Sequence, residues 1–233
     1  MLKVQNVYKK FRRREALHDV SFELEPGIYG LLAPNGAGKT TLLRCILDLY
    51  PVTSGKVYLD GSERIGYLPQ KFGVFRELKV CDMLYYFATV KKIPKKDRKQ
   101  EIQRVLKLVN LEERSGDRVS QLSGGMQRRL GIAQAVLGNP ELLFFDEPTA
   151  GLDPEERTRF KHLIREIGSG RTIIISTHIV EDVESLCDRV LIMSKGKLLE
   201  NVTVEEACHF AKEPGQDSPS LEEGYLSRIQ EEE

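Results

Sequence analysis

Hydrophobic and polar positions along the chain follow two periods, one typical of strands and one typical of helices. The runs at 28–32 and 171–178 have the continuous hydrophobicity of strands that are buried on both faces. A third run, "LLFFDEP" at 142–148, ends in two acidic residues. Residues 39–49 and 153–168 carry apolar side chains at helical spacing. Strands that alternate with helices in this way predict an α/β fold with a mostly parallel sheet.

Three regions depart from this alternation. The first thirty residues are short β-rich segments separated by turns. Between about 76 and 140, helical spacing dominates, most clearly at 81–90 and 98–111. We interpret this stretch as a helical subdomain inserted into the α/β domain. Residues 188–199 are predicted to form a hairpin-like pair of strands.

Composition describes a globular chain and gives no global attraction to a polyanion. The 233 residues are 40% hydrophobic and 30% charged, with a formal net charge of zero. This length can bury the core of one domain, and no overall field steers the protein to nucleic acid or anionic lipid. The basic cluster at 91–99 lacks the interleaved aromatic residues that stack on bases. We therefore expect a solvated loop there and no nucleic-acid partner.

Cysteine spacing and hydropathy favour a cytoplasmic protein. The four cysteines are far apart and form no C-x-x-C pair, which is typical of reduced thiols. No apolar run approaches the roughly 20 residues needed to cross a bilayer. The first ten residues also lack the apolar stretch of a signal peptide. If the protein works at a membrane, we expect a separate chain to supply the span.

The stretch "GLLAPNGAGKTTLL" at 30–43 nearly matches a phosphate-binding loop. Gly38, Lys39 and Thr40 are in place, but Ala33 replaces the first glycine. In such a loop, backbone N–H groups and the helix dipole face phosphate oxygens. Lys39 would contact the β- and γ-phosphates, and Thr40 would offer its hydroxyl to Mg²⁺. Alanine fits the first position if its φ is negative, at a cost of about 1 kcal/mol or less.

The acidic end of 142–148 is the second candidate site. Ligands of parallel α/β sheets bind at the carboxyl ends of the strands, where Asp146 lies. Asp146 could hold Mg²⁺ through water, and Glu147 could orient or deprotonate an attacking water. Taken alone, these acids would also fit a helix cap that follows a strand.

Together with other motifs, these residues resemble the ATP-binding subunit of an ATP-binding-cassette (ABC) transporter. The matching segments are "APNGAGKTT", "YLPQ" ending at Gln70, "QLSGGMQRRLGIAQAVLGNPELLFFDEPTAGLDP" and "IIISTHIVEDVESLCDRV" with His178. The match spans residues 1 to about 200, and "LSGG" ahead of the carboxylate strand is specific to this family. The resemblance implies an α/β P-loop NTPase (RecA-like) core with a mostly parallel sheet, an N-terminal antiparallel β subdomain and the inserted α-helical subdomain. We expect the ABC ATPase domain at 1–210 and a short C-terminal tail at 211–233, with a solvated acidic end.

The resemblance also assigns roles to residues, with ATP and Mg²⁺ as cofactors. Glu147 and His178 are the implied catalytic residues. Mg²⁺ is expected at Thr40, Gln70 and Asp146. The implied nucleotide contacts are Phe11, Asn35, Gly36, Ala37, Gly38, Lys39, Thr40, Thr41, Gln70, Ser123, Gly124, Gly125 and Asp153.

Some of these roles depend on a second subunit. In the family, the "LSGG" residues Ser123, Gly124 and Gly125 cap the γ-phosphate bound to the opposite subunit, and Asp153 lies in a loop that communicates across the dimer. The resemblance therefore implies a head-to-tail homodimer, or a heterodimer with a second ABC ATPase subunit. The aromatic residue expected on adenine is Phe11, with Tyr8 as the alternative.

The expected function is ATP hydrolysis that powers an ABC transporter. Intact Lys39, Glu147 and His178 argue against a decayed site, in spite of Ala33. The partner is expected to be a separate transmembrane permease subunit, which places this chain peripherally on the cytoplasmic face of the cell membrane. Residues 71–78, with two phenylalanines, would receive a helix of that permease or else pack in the helical subdomain.

The ending "LEEGYL" resembles exporter cassettes. The alternatives are a non-transport ABC ATPase, which would carry long insertions or two cassettes, and an ATP-binding regulatory partner. The sequence does not name the transported substrate.

Overall fold

Strands and helices alternate through most of the chain. The computed structural model describes residues 1–59, 64–211 and 220–232, and within them it contains nine strands and eight α-helices. In chain order they are β1 (Leu2–Phe11), β2 (Arg14–Leu24), β3 (Gly27–Leu32), α1 (Lys39–Ile46), β4 (Ser54–Leu59), β5 (Ile65–Leu68), α2 (Val80–Val90), α3 (Arg98–Leu108), α4 (Gly124–Val136), β6 (Leu142–Asp146), α5 (Pro154–Gly168), β7 (Thr172–Thr177), α6 (Val180–Leu186), β8 (Arg189–Ser194), β9 (Lys197–Thr203), α7 (Val204–Cys208) and α8 (Leu221–Gln230).

The chain divides into two units. Unit 1 comprises Met1–Ser62 and Gly168–Glu233, and unit 2 comprises Glu63–Ile167. Unit 2 therefore holds β5, β6, α2, α3, α4 and nearly all of α5, and unit 1 holds the remaining elements.

Unit 1 contains both predicted kinds of sheet. Strands β2, β1 and β4 form an antiparallel sheet at the N-terminus. Strands β7, β3 and β8 are parallel neighbours, and β9 returns antiparallel to β8 as the predicted hairpin. The apolar runs predicted to be buried strands are so, because Leu31, Leu32 and Ile173 are 1% exposed or less. Helix α1 ends at Ile46, before the end of its apolar pattern, and Asp48 then has a φ of 54°.

Unit 2 contains the predicted helical region and the carboxylate strand. Strands β5 and β6 are parallel, and the helices α2, α3 and α4 lie between them in sequence. Helix α5 begins as its sequence predicts, with Pro154 as its first residue and the Asp153 carboxylate accepting the Glu156 N–H at 2.9 Å. The Phe145 ring meets Phe160 edge to face at 5.8 Å, which packs β6 against α5.

Helix α4 lies unusually close to β5, and glycine makes this possible. A β-carbon at Gly66 of β5 would collide with the carbonyl oxygen of Ala135 on α4. A β-carbon at Gly131 of α4 would lie 2.7 Å from a methyl group of Leu68 on β5. The strand and the helix therefore approach each other at two points where any larger residue would separate them.

The segment predicted to be a short C-terminal tail contains a helix. Residues 221–230 form α8, whose first turn is capped by the Ser220 hydroxyl. Leu221 is fully buried and Tyr225 is 9% exposed. At Gly224, a β-carbon would collide with the carbonyl oxygen of Ala207 on α7. Leu221 and Tyr225 were read as part of a tail, but they are apolar and spaced to bury one helix face. Residues 212–219 and 233 lie outside the described residues, and a domain boundary at residue 210 stays a prediction.

The acidic end is held by ion pairs. Glu232 pairs with Lys197 on β9 at 2.6 Å, and Glu231 pairs with Arg228 of α8. Among the described residues, no helix combines the length and the apolar character that a membrane span requires.

Candidate nucleotide-binding and catalytic site

The loop between β3 and α1 has the backbone of a phosphate-binding loop. Gly36 and Gly38 adopt left-handed conformations, with φ of 81° and 112°. Gly38 is also crowded, because a β-carbon there would lie 2.9 Å from the carbonyl oxygen of Ala16. The loop therefore requires glycine where the sequence has it, and it leads directly into the N-terminus of α1.

Ala33 and Lys39 close the base of this loop. The φ angle of Ala33 is not positive, and the residue is fully buried. The expectation that alanine fits this position is therefore confirmed. The Lys39 ammonium donates to the carbonyl oxygen of Ala33 at 2.7 Å and to that of Pro34 at 3.4 Å. Lys39 is 6% exposed, so its charge is held within the loop rather than in solvent.

A turn from the β8–β9 hairpin braces the same loop. The Gly196 N–H donates to the carbonyl oxygen of Ala37 at 2.9 Å, and the Gly196 carbonyl accepts the His18 N–H at 2.8 Å. Gly196 has a φ of 84°, and a β-carbon there would meet the Ala16 carbonyl oxygen at 2.6 Å. Sequence reasoning did not identify Gly196, although the "KGK" turn between two strands is a signal for a glycine with positive φ.

His178 lies at the same edge of the sheet as the phosphate loop. It directly follows β7, and Thr177, the last residue of β7, pairs with Leu32, the last residue of β3. Ala33 and His178 therefore follow two neighbouring parallel strands at equivalent positions. His178 is exposed. This placement agrees with a histidine that faces a ligand held by the loop.

Both candidate adenine-stacking residues lie on β1 and are partly exposed. Phe11 ends β1, is 40% exposed and meets the Tyr50 ring edge to face at 5.4 Å. The Lys9 ammonium lies 4.7 Å from the centre of the Phe11 ring. Tyr8 is 38% exposed on the same strand. Phe11 thus presents part of its ring to solvent while its neighbours hold it in place.

The two acids after β6 are buried in unit 2. Asp146 is 0% exposed and Glu147 is 5% exposed. Glu147 has a φ of 49°, which is uncommon for a residue other than glycine and is found mostly where surrounding structure enforces it. The Arg128 guanidinium of α4 donates to the carbonyl oxygens of both acids, at 3.0 Å for Asp146 and 2.6 Å for Glu147.

The "LSGG" residues form the N-terminus of the 13-residue helix α4. Ser123 is the N-cap, and its hydroxyl accepts the Met126 N–H at 3.3 Å. Ser123 and Gly124 are exposed, and no heavy atom lies within 4 Å of the position of a β-carbon on Gly124. At Gly125 a β-carbon would lie 3.3 Å from the Glu156 side chain. The open helix end can therefore accept an anion from outside the subunit.

Two further predicted site residues, Gln70 and Asp153, lie in the segments that follow β5 and precede α5. Gln70 follows β5, is exposed and has its carbonyl oxygen bound by Arg128 at 3.1 Å. Asp153 is exposed and caps α5 with its carboxylate. Within unit 2, Arg128 thus brings Gln70 together with the segment of Asp146 and Glu147. Within unit 1, the sheet register brings His178 to the edge that carries the phosphate loop.

The family model described as "ABC transporter" matches residues 17–150, which is more than half of the 233 residues. The matched region contains the phosphate loop, Gln70, the "LSGG" helix and the carboxylate strand. The chain belongs to the ABC transporter family. It is an ATP-binding subunit, as the motifs predicted.

Two ABC relatives carry names that describe their roles. The linearmycin resistance ATP-binding protein LnrL of Bacillus subtilis is 33% identical over 220 residues, covering 89% of this chain and 71% of LnrL. The Nod factor export ATP-binding protein I of Ralstonia nicotianae is 32% identical over 243 residues, covering 95% of this chain and 74% of that protein.

A solved ABC cassette has the same fold. It is the dimeric post-hydrolysis state of the cassette MJ0796 bound to ADP and Pi, with a TM-score of 0.78 and 25% identity, and it covers 87% of this chain and 98% of that one. The likeness confirms the predicted α/β P-loop NTPase fold and supports ATPase activity in this ABC subunit.

The oxygen donors of the ABC motifs suit a hard cation. Among the described residues, no group of three or more His, Cys, Asp or Glu side chains could hold a metal ion by itself. Magnesium does not require one, because it is commonly bound through one or two carboxylates together with waters and substrate phosphates. The buried Asp146 carboxylate, the Thr40 hydroxyl and the Gln70 side chain supply oxygen ligands of that kind. Each of these side chains, taken by itself, therefore has the ligand chemistry that suits Mg²⁺.

Proposed function

We propose that this chain hydrolyses Mg²⁺–ATP as part of a head-to-tail dimer and thereby drives an exporter whose membrane passage is a separate permease. The observation that carries hydrolysis, rather than binding alone, is the buried pair of Asp146 and Glu147 at the end of β6. A subunit that served only as a regulatory clamp would have no need for the second carboxylate in a strained turn.

Each group then has a task at the nucleotide. The loop N–H groups and Lys39 hold the β- and γ-phosphates, and Phe11 or Tyr8 stacks on adenine. Thr40, Asp146 and Gln70 would hold Mg²⁺, which when bound neutralises phosphate charge. Glu147 accepts the proton of the attacking water, while His178 orients that water and the γ-phosphate. Because Glu147 is 5% exposed, its carboxylate acts where bulk water does not compete.

The open end of α4 supports a site completed by a second subunit. The Gly124 N–H is exposed at a helix N-terminus, where the helix dipole favours an anion. The ATP bound by a partner supplies such an anion in its γ-phosphate. Asp153, exposed at the start of α5, would lie in the same contact between subunits. The dimeric state of the MJ0796 cassette supports this arrangement.

An aromatic surface on unit 2 supports docking to a permease. Phe75 is 47% exposed and Tyr86 is 49% exposed, and their rings meet edge to face at 5.3 Å. Phe72 is half-buried and lies against Gly131, so it packs inside unit 2. Of the two phenylalanines in 71–78, Phe75 is the one that a helix of a membrane partner would contact. Absence of any membrane protein from this chain purified under native conditions would contradict the permease.

Export as the direction of transport rests on the names of two relatives, one for linearmycin resistance and one for Nod factor export. Together with the permease, it places the chain on the cytoplasmic face of the cell membrane. The transported compound is recognised by the permease.

The test of the proposal uses two inactive variants. Ser123→Arg places a bulky cation at the end of α4, so we expect ATP binding to the monomer to be retained and hydrolysis to be lost. Lys39→Ala weakens ATP binding, since the lost charge-assisted contact is worth about 1.5–3 kcal/mol. A mixed dimer has one site with both changes and one site with neither. ATPase activity should therefore reappear when the two variants are mixed.

The control is Ser120→Arg, at an exposed serine in the turn before α4. It should leave hydrolysis nearly unchanged. If Ser123→Arg monomers fail to bind ATP in calorimetry, the "LSGG" end acts on its own subunit and the head-to-tail proposal is wrong. If no activity returns on mixing, one intact composite site is not sufficient for turnover, and the proposal is wrong in that respect.

A further inference from the structure

Arg128 uses its whole guanidinium to bind backbone carbonyls. An arginine side chain has five N–H groups in a rigid, planar fork. Here Nε and both terminal nitrogens donate to five different acceptors in two separate segments. The acceptors are the carbonyl oxygens of Pro69 (3.2 Å), Gln70 (3.1 Å), Asp146 (3.0 Å), Glu147 (2.6 Å) and Pro148 (3.0 Å).

The position of this side chain follows from the packing of α4. Arg128, Gly131 and Ala135 are spaced by three and then four residues, so they share one face of the helix. Gly131 and the Ala135 backbone are the points where α4 touches β5. The close approach of that face to the strand delivers the Arg128 guanidinium to the segment that follows β5. The two glycines, Gly66 and Gly131, thus place the arginine.

The Arg128 guanidinium stays positively charged at this site. Burial lowers the pKa of Arg128, and the carboxylates of Asp146 and Glu147 act in the opposite direction. Arginine remains protonated in proteins in any case, so the fork keeps all of its donors. A buried cation of this kind is stable only when its N–H groups are satisfied, which the five carbonyls provide.

We propose that Arg128 is a positioning residue for ATP hydrolysis, which fixes the Glu147 turn and the Gln70 segment relative to each other. The inference rests on the function proposed above, because Glu147 is the base only if the chain hydrolyses ATP. Arg128 acts through the backbone, because all five of its acceptors are carbonyl oxygens of the main chain. Its bond to the Glu147 carbonyl holds the left-handed conformation that aims the carboxylate. Its bonds to the carbonyl oxygens of Pro69 and Gln70 fix the segment of Gln70, a proposed Mg²⁺ ligand, relative to the Glu147 turn.

The substitution that tests this is Arg128→Lys. Lysine keeps the charge but has three donors on a flexible stem, so it cannot serve both segments with the same geometry. The matched control is Arg104→Lys, because Arg104 of α3 also lies in unit 2 and also donates to a backbone carbonyl, that of Val136 at 3.1 Å. Arg104 further binds the Glu101 carboxylate and contacts neither segment of the site.

We expect Arg128→Lys to lower kcat about 10- to 100-fold, as displacement of a catalytic group by about 1 Å does. ATP affinity, measured by calorimetry, should change much less than kcat, since the phosphate loop is unaltered. Arg104→Lys should leave kcat unchanged. If kcat of Arg128→Lys stays within a factor of two of wild type, or if the two variants lose kcat equally, Arg128 has no positioning role.

A second measurement separates positioning from general support. In a Glu147→Gln background, where the base is absent, Arg128→Lys should reduce the residual single-turnover rate far less than it does in the wild type. If Arg128→Lys reduces the rate by the same factor in both backgrounds, Arg128 acts independently of Glu147. That result would overturn the proposal.

Amide hydrogen exchange tests the same idea without activity. Arg128→Lys, and not Arg104→Lys, should increase exchange at 70–71 and at 146–149, at a temperature where both variants are folded. If the wild type hydrolyses no ATP but exchange in Arg128→Lys rises at these residues, the proposed function is wrong, while the structural role of Arg128 in holding the two segments is supported. If the wild type hydrolyses ATP but Arg128→Lys leaves the exchange rates unchanged, Arg128 has no positioning role and the proposed function stands.

Discussion

The phosphate loop of unit 1 and the carboxylate turn of unit 2 both contain a residue in an unfavourable backbone conformation, but different contacts stabilise the two segments. Each follows a parallel strand and contains a residue with positive φ, Gly38 at 112° in the loop and Glu147 at 49° in the turn. In the loop, the backbone itself is the proposed ligand, so glycine can occupy the strained position. In the turn, the side chain of Glu147 is the proposed base, so glycine could not take its place.

The two segments therefore differ in what holds them. The loop is closed by Lys39, which binds the carbonyl oxygen of Ala33 only six residues earlier. The turn is held by Arg128, nineteen residues before Glu147 and on another element. The loop thus has a local contact at its base in addition to the brace from Gly196, whereas the turn is bound by the side chain of an arginine on another element. The predictions below test each half of this comparison.

The largest effect is expected in the carboxylate turn. Glu147→Gln keeps the shape of the side chain and removes the base, so kcat should fall by about 10²–10⁴-fold. ATP binding should persist and should hold two subunits together, which size-exclusion chromatography with ATP would detect. The control is Glu155→Gln on α5, since that side chain is 75% exposed and its ion pair with Arg159 contributes little. Hydrolysis near the wild-type rate in Glu147→Gln would show that another group is the base.

This contrast also explains how much the sequence revealed. The loop glycines, Lys39 and the acids at 146–147 could be found, because each lies within a short motif whose spacing carries its geometry. The capped start of α5 was predicted for the same reason, since Asp153 and Pro154 act within one turn.

The features that the sequence does not predict depend on contacts between residues that are far apart in the chain. Arg128 lies inside a recognised motif, yet its five acceptors are spread over 69–148 and no local pattern indicates them. The requirement for glycine at position 66 also depends on a distant contact, because it comes from the close approach of α4 to β5. Helix α8 was read as a tail because its few apolar residues, such as Leu221 and Tyr225, bury themselves only against α7 and its neighbours.

A smaller effect should separate two glycines of the phosphate loop. Gly36→Ala adds a methyl group that meets no atom within 4 Å, so only the left-handed strain of about 1–2 kcal/mol is expected. Gly38→Ala adds the same kind of strain and also crowds the Ala16 carbonyl oxygen at 2.9 Å. We expect it to lower the free energy of unfolding by about 2–4 kcal/mol. Denaturant unfolding without nucleotide measures both, and equal losses would show that crowding by Ala16 has no part in shaping the loop.

The smallest effect concerns Ala33, where the loop departs from its motif. Ala33→Gly removes a fully buried methyl group, worth about 0.8 kcal/mol, and frees the unfolded chain by about 0.4–1 kcal/mol. The free energy of unfolding should therefore fall by about 1–2 kcal/mol, although the variant restores the motif. ATP affinity and kcat should change less than about twofold, because Lys39 binds the carbonyl oxygen of residue 33, which glycine also has. Calorimetry and steady-state kinetics on the same preparation would measure both. An increase in ATP affinity of about tenfold, which is about 1.4 kcal/mol, would mean that alanine distorts the loop, and the claim that alanine fits this position would then be wrong.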